Sequence, residues 1–384
     1  MRDRVLLVLA LVAHLALQLA PAWKKVDTAR NGRDFASYYY ALQVAADGGD
    51  PYETPLLSAR ARTEHTRKGV HPFFYPPPFL LAVAWARPLG LHDAYRVMLL
   101  LNELCLFGSL AILVRSFATP VWLVALLLAT YTPIPDNAWM GQANLLALLP
   151  ALAGLALAPR RPLAGGLLVG LAAMIKMSPA LFLLYWALRR QWRPIAAATA
   201  AAVALSVVTL PLVDLHAQLR FYTEVLPGFS SGDYHGLDVP ISLPANHSIP
   251  DLFDRLWPAP GHTRLTVTAQ RAAALATLTA LALWAWRFRR PGREIGAVGA
   301  LAVIMVIVPV YTYEHHLVFL LPALAGASGA GPLFFLCYFF LAWPLDWLRE
   351  AQKWFPFADS VLRESKFLAE VGMALLCARR GSNS

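Results

Sequence analysis

Apolar residues run along this chain in long, unalternating blocks, near residues 5–22, 73–90, 95–114, 119–135, 141–158, 163–188, 194–213, 266–287, 295–311, 316–330, 332–348 and 361–378. A hydrocarbon core about 30 Å thick takes roughly 20 apolar residues in a helix rising 1.5 Å each, whereas a barrel strand would alternate over about ten. The pattern therefore predicts an all-α fold, a polytopic membrane helix bundle of about twelve spans. The composition agrees, with 58% hydrophobic and 15% charged residues over 384 positions. The first block follows Met1-Arg2-Asp3-Arg4 and ends near "LAPAW". It has the outline of a signal peptide, but its apolar stretch is longer than the usual h-region, which favours an uncleaved anchor.

The polar intervals fix a topology. The formal charge of +10 lies in short clusters between blocks: Arg189, Arg190 and Arg193, then Arg287, Arg289, Arg290 and Arg293, then Arg379 and Arg380. Such clusters mark cytoplasmic loops, not a nucleic-acid surface. With the amino terminus inside, residues 23–72 and 214–265 become two large outer loops on one face. Arg160 and Arg161 fall outside if 163–188 is one long span, and inside only if it is a shallow hairpin or an earlier block fails to cross; one long span is the expectation. "DFASYYYALQVAADGGDPYE" has helical spacing and predicts an amphipathic interfacial helix with its tyrosines at headgroup depth. Cys105, Cys337 and Cys377 lie in or beside apolar blocks without paired or metal-type spacing, so neither a disulfide frame nor a zinc site is expected.

Several polar residues stand where they are costly or exposed to the outer face. Asp34 can be an N-cap or first-turn acid, or a general base that deprotonates an acceptor hydroxyl at the membrane surface. "FFYPPPF" should start the second span near Pro76–Pro78, which sets Tyr75 and His71 at the level of Asp34. Gln142 and Asn144, in "MGQANLLALLP", can cap a helix or bind a hydroxylated ligand. Lys176 lies deep in an apolar run; it either snorkels or faces a cavity, and Pro179 beyond it can kink the helix. His315 and His316 follow Glu314 in "YTYEHHLVFLLPAL"; adjacent on a helix, they diverge by about 100° and make poor joint metal ligands, but either can bind an anion or hydroxyl. Asn246 and His247 add polar groups in the second outer loop. No Walker loop, Rossmann glycine pattern, DxD pair or His-Glu-x-x-His is present, so no cofactor and no metal is expected.

Taken in order, "RDFASYYYAL", "GDPYE", "FFYPPPFLLAVAWARPLG", "GQANLLALLPALAGLAL", "AGGLLVGLAAMIKMSPALFLLYWALRRQWR" and "YEHHLVFLLPAL" resemble glycosyltransferase family 87 over roughly residues 5–330. The resemblance implies a GT-C membrane mannosyltransferase using a polyprenyl-phosphate sugar. It matches Asp34 to the catalytic acid of the first outer loop, Gln142 and Asn144 to an amide pair, Lys176 to the intramembrane lysine, and His315 or His316 to the histidine before a late span. On this reading residues 1–330 form the catalytic domain and 331–384 add helices and a cytoplasmic tail. Lys176, His316 and Arg33 would neutralise the donor phosphate, while Tyr38, Tyr75, Gln142, Asn144, His247 and His315 bind sugar or acceptor. The expected partners are a polyprenyl-phosphate donor, a glycolipid or polysaccharide acceptor and membrane lipids, with the site on the outer face of a bacterial plasma membrane. A transporter or lipid flippase, and a non-catalytic scaffold, are the rival readings.

Overall fold

In the computed structural model, which describes residues 2–28, 31–233, 239–292, 294–354 and 359–379, all regular structure is helical. Three helices, Asp3–Lys24, Leu91–Phe117 and Trp192–Thr209, are both long and apolar enough to cross a membrane. Shorter apolar helices include Val121–Thr130, Asn144–Leu157, Pro162–Ile175 and Glu294–Ile307. Twelve continuous span-length helices are therefore not found among the described residues. Proline is the main reason, because it removes a donor and clashes with the preceding turn. After Pro76–Pro78 the chain is α-helical only over Phe79–Ala82 and then turns through the 3₁₀ segment Ala84–Ala86. The 316–330 block divides likewise, into a 3₁₀ turn Glu314–Leu320 and a short helix Leu321–Ala327 with Pro322 at its start.

The 163–188 block corrects the expected topology. Pro162–Ile175 is helical for 14 residues, about 21 Å. The backbone then opens at Lys176 (φ −149°, ψ 132°), and a second arm runs through Ser178–Leu181 and Phe182–Leu188. A Cβ on Gly166 would come within 2.2 Å of the Pro194 carbonyl oxygen, and one on Gly170 within 2.5 Å of that of Ala198. Equal steps of four in the same sense mean that Pro162–Ile175 and Trp192–Thr209 run parallel from one end. A straight helix from Gly166 to Leu188 would separate its ends by about 33 Å. The chain from Leu188 to Pro194 can return only about 20 Å. The block is therefore a hairpin with Lys176 at its apex, and Arg160 and Arg161 share an end with Arg189 and Arg193.

Other arginine clusters gather at that end. Arg189 donates to the Phe288 carbonyl at 2.9 Å, and Arg287 donates to that of Ala378; Arg293 and Arg380 lie outside the described residues. The two polar loops meet at the opposite end, where Arg220 reaches Asp50 and Glu53, each at 2.5 Å. Two of the long helices also carry polar side chains inward. His14 bonds Gln18 at 2.9 Å and Glu103 at 2.7 Å, and Gln18 donates to the Leu128 carbonyl, tying the first helix into the bundle.

The helix Arg33–Ala46 does not lay its three tyrosines out toward lipid. Tyr38, Tyr39 and Tyr40 are all buried in protein. Their hydroxyls are satisfied internally: Tyr39 donates to the Leu89 carbonyl at 2.8 Å, and Tyr40 to Glu64 at 3.0 Å. A phenol buried with a partner for its hydroxyl contributes its apolar area without leaving a polar group stranded.

Candidate active site

Backbone turns bring the site together. Arg33–Ala46 starts at Gly32, whose φ of +61° only glycine adopts freely, with its amide bonded to the Trp139 carbonyl at 2.7 Å. Gly141 is also left-handed (φ +69°), and a Cβ there would lie 2.6 Å from Cβ of Phe35. These two glycines let the "GQAN" turn press against the first turn of Arg33–Ala46, so that Gln142 meets Asp34.

Asp34 does not cap its own helix. Its Oδ2 accepts from Gln142 Nε2 at 2.5 Å, while Oδ1 faces His71 Nδ1 at 3.4 Å. The Gln142 carbonyl oxygen accepts from Tyr75 OH at 2.7 Å and Tyr38 OH at 3.0 Å, and its amide nitrogen also reaches His315 Nε2 at 3.2 Å. Both ends of the amide are thus engaged, which fixes its orientation. Burial pushes the Asp34 carboxyl up, but the His71 hydrogen bond, the charges of His315 and His71 and the Gln142 amide outweigh it and hold the group below its ordinary value. It is a carboxylate at neutral pH.

Lys176 does not snorkel. From the hairpin apex its ammonium donates to Asn144 Oδ1 at 2.5 Å and lies 5.5 Å from the Tyr75 ring and 5.8 Å from the Phe319 ring. Asn144 in turn donates to the His315 carbonyl at 2.8 Å, so neither amide of the pair serves as a helix cap. An ammonium has three donors, and among the described residues this one spends a single one on protein. His316 Nδ1 accepts from the Tyr313 amide at 3.0 Å, which assigns the ring proton to Nε2.

Asp34, Tyr38, Tyr75, Gln142, Lys176, His315 and His316 all line one cavity of about 1020 Å³. Beyond this polar end it continues along an apolar arm formed by Leu226, Phe229, Ala273, Leu278, Met305 and Val306. Leu278 is 65% exposed on the outer side of Val267–Phe288, so the arm reaches the molecular surface. That combination of a long apolar wall with a few convergent polar groups is typical of a ligand site.

Three expected residues lie elsewhere. Arg33 is exposed and off the cavity wall. Asn144 is buried behind Lys176. His247 is buried against Glu314 at 2.9 Å, and Asn246 beside it donates to the Val310 carbonyl and accepts from the Thr312 amide, so "ANHS" clasps the 310–312 segment. Two contributors were not singled out for the site: His71, although placed at the right level, and Asp136, whose Oδ2 lies 3.7 Å from His315 Nδ1.

Comparison with known proteins converges on one family. The family model for glycosyltransferase family 87 matches residues 73–312. A polyprenol-phosphate-mannose-dependent alpha-(1-2)-phosphatidylinositol mannoside mannosyltransferase of Mycobacterium tuberculosis is 29% identical over 346 residues, covering 82% of this chain and 74% of its own. The protein of the same description from Mycolicibacterium smegmatis is 28% identical over 68% of this chain and 62% of its own length. A Mycobacterium tuberculosis pentamannoside mannosyltransferase, likewise described as polyprenol-phosphate-mannose-dependent, is 28% identical over 83% of this chain and 70% of its own. No solved structure matches. With more than half of its length matched by the family model, this chain belongs to glycosyltransferase family 87.

Proposed function

We propose that this membrane glycosyltransferase moves a mannosyl residue from a polyprenyl-phosphate donor to a hydroxyl of a membrane glycolipid, at the end of the bundle that carries the 23–72 and 214–265 loops. The observation that carries the reading is the single cavity in which the Asp34 carboxylate shares a wall with the Lys176 ammonium and the His316 imidazole, and which runs on into an apolar arm. The names of the relatives favour mannose, the polyprenol-phosphate donor and a phosphatidylinositol mannoside as acceptor.

The chemistry follows from that arrangement. The acceptor hydroxyl loses its proton to Asp34 as its oxygen attacks the anomeric carbon. The bond from that carbon to the phosphate oxygen breaks in line and inverts the centre. Polyprenyl phosphate leaves with the electron pair, its charge met by Lys176 and by the Nε2 proton of His316. Gln142 holds Asp34 in place, the Tyr38 and Tyr75 hydroxyls hold Gln142, and the apolar arm takes the start of the isoprenoid chain. The arginine clusters gathered at the other end favour an outward-facing site under the positive-inside rule. A transporter would need access from both ends, and the cavity groups lie at one end only.

The test incubates the purified protein with labelled polyprenyl-phosphate mannose and a membrane lipid extract. Label should pass to a glycolipid, and in sealed right-side-out vesicles an impermeant short-chain donor should be consumed from outside. No transfer to lipid removes the reading, and consumption only in inverted vesicles reverses the orientation.

A further inference from the structure

Glu314, His315 and His316 are successive residues at the start of a 3₁₀ turn. At three residues per turn their side chains point in three directions about 120° apart. His315 meets Gln142, His316 faces the cavity, and Glu314 points away from it into the bundle. There Glu314 Oε2 accepts from Lys366 Nζ at 2.6 Å and Oε1 bonds His247 Nε2 at 2.9 Å. Lys366 also donates to the Leu341 carbonyl at 3.3 Å and is fully buried. Fixing one of three side chains on such a turn fixes the rotation of the other two.

Lys366 belongs to the helix Asp359–Arg379, which lies beyond the segment matched by the family model. That helix makes two more ties to the elements around the site. Glu364 pairs with Arg255 at 2.5 Å, and Arg363 donates to the Ser242 carbonyl at 3.0 Å. Its far end is locked in by close small-residue packing, since a Cβ on Gly296 would come within 2.7 Å of the Cys377 carbonyl oxygen. The 361–378 block is thus a polar clasp, with Arg363, Glu364 and Lys366 each bonded to elements around the site, although hydropathy alone reads it as a further span.

We infer that Lys366 is a positioning residue: through Glu314 it sets the rotation of the His315–His316 turn and so the affinity of the site for the donor phosphate. This rests on the donor reading given above. A merely structural lysine would move thermal stability and nothing else, whereas a positioning one separates donor from acceptor.

The experiment measures polyprenyl-phosphate affinity, the KM for donor and for acceptor, and the thermal midpoint, all in nanodiscs. It compares wild type, Lys366→Met, Lys366→Arg, Glu314→Gln and the double variant Lys366→Met/Glu314→Gln. Failure of wild type to bind polyprenyl phosphate sinks the donor reading, and this inference with it, before any variant is compared. With wild-type binding in hand, Lys366→Met should weaken polyprenyl phosphate and raise the donor KM by about tenfold, with the acceptor KM unchanged and most of the loss restored in Lys366→Arg. The double variant should lose no more than Glu314→Gln alone, because both changes break one link. Donor affinity within about twofold of wild type in Lys366→Met, or losses that multiply in the double variant, would overturn the inference. Should Lys366→Met fail to fold, the double variant leaves no unpaired Glu314 charge, and wild-type donor affinity there overturns it equally.

Discussion

Asp34 and Glu314 are both largely buried carboxylates in the first turn of a helical segment, and both contact a histidine. They differ in how their oxygens are used. Glu314 spends both, one on Lys366 and one on His247, and does not line the cavity that Asp34 lines. Burial alone would push Glu314 up, but the Lys366 ammonium and the bond and charge of His247 outweigh it and hold the carboxyl at about 2. Among the described residues Asp34 is met at close range only by a neutral amide on one oxygen, and its other oxygen lies 3.4 Å from His71 at the cavity wall. A carboxylate neutralised on both oxygens has little left to give a proton-bearing substrate. One held by an amide keeps its charge, its orientation and a free lone pair, as a general base requires.

The largest test of this contrast is the same chemical change at both positions. Asp34→Asn preserves shape but cannot take a proton, so transfer should fall by about 10²–10⁴-fold with folding and donor binding intact. Glu314→Gln should leave kcat at saturating donor and acceptor within about threefold of wild type, since Glu314 touches no reacting atom. Turnover assays of the two variants decide it. Near-normal turnover in Asp34→Asn removes Asp34 from the mechanism, and equal collapse in both erases the distinction.

A smaller effect separates the buried Lys366 from the cavity-lining Lys176. Lys366 has a full counter-charge in Glu314, while Lys176 has the side-chain carbonyl of Asn144 and two aromatic faces. Lys176→Met should therefore remove a charge-assisted contact to the donor phosphate of about 1.5–3 kcal/mol, roughly 10- to 150-fold in affinity, while the fold holds. Lys176→Arg should rescue only in part, because a planar guanidinium does not fit where an ammonium sits. Unchanged polyprenyl-phosphate affinity in Lys176→Met would leave the lysine a structural role alone.

The comparison also explains what could be read from the sequence. The helical class and the membrane setting follow from block length, because backbone groups in lipid must be satisfied within the segment. The number of crossings does not, because hydropathy averages across prolines: Pro76–Pro78, Pro179 and Pro322 lie in apolar blocks and break them locally. Lys176 stands out as a charge inside an apolar run, and Asp34, Gln142, His315 and His316 as polar groups at the outer ends of such runs; the structure gathers them on one cavity. The same signal was present at Lys366. It was masked there by Arg363, Glu364 and Glu370 nearby, which make the block look like a poor span instead of a good clasp. His247 shows the converse. A histidine in an outer loop resembles a ligand group until its partner, Glu314, is known, and that pairing is set by tertiary contact.

The smallest expected effect is also the most specific, since it reads the Asp34 environment directly. His71 is the first of the groups that lower the Asp34 carboxyl against the push of burial, through its hydrogen bond and then its charge. The sign follows from which form is active. A base works ionised, so transfer is lost as pH falls through the folded-state value of Asp34, and any depression of that value extends activity toward acid. The stability contributed by the ionised group behaves alike: it is present above the unfolded value and lost as pH falls through the folded one. His71→Gln keeps a donor near Oδ1 but removes the imidazole, so the folded value rises and the acid limb of kcat/KM should move to higher pH. Rates near neutrality should change little, because Asp34 is ionised there in both proteins. The imidazole side chain is 40% exposed, so the substitution should not disturb packing. An acid limb that stays put or moves to lower pH would show that His71 does not hold Asp34, and a loss at neutral pH as large as that of Asp34→Asn would make His71 a proton carrier in its own right.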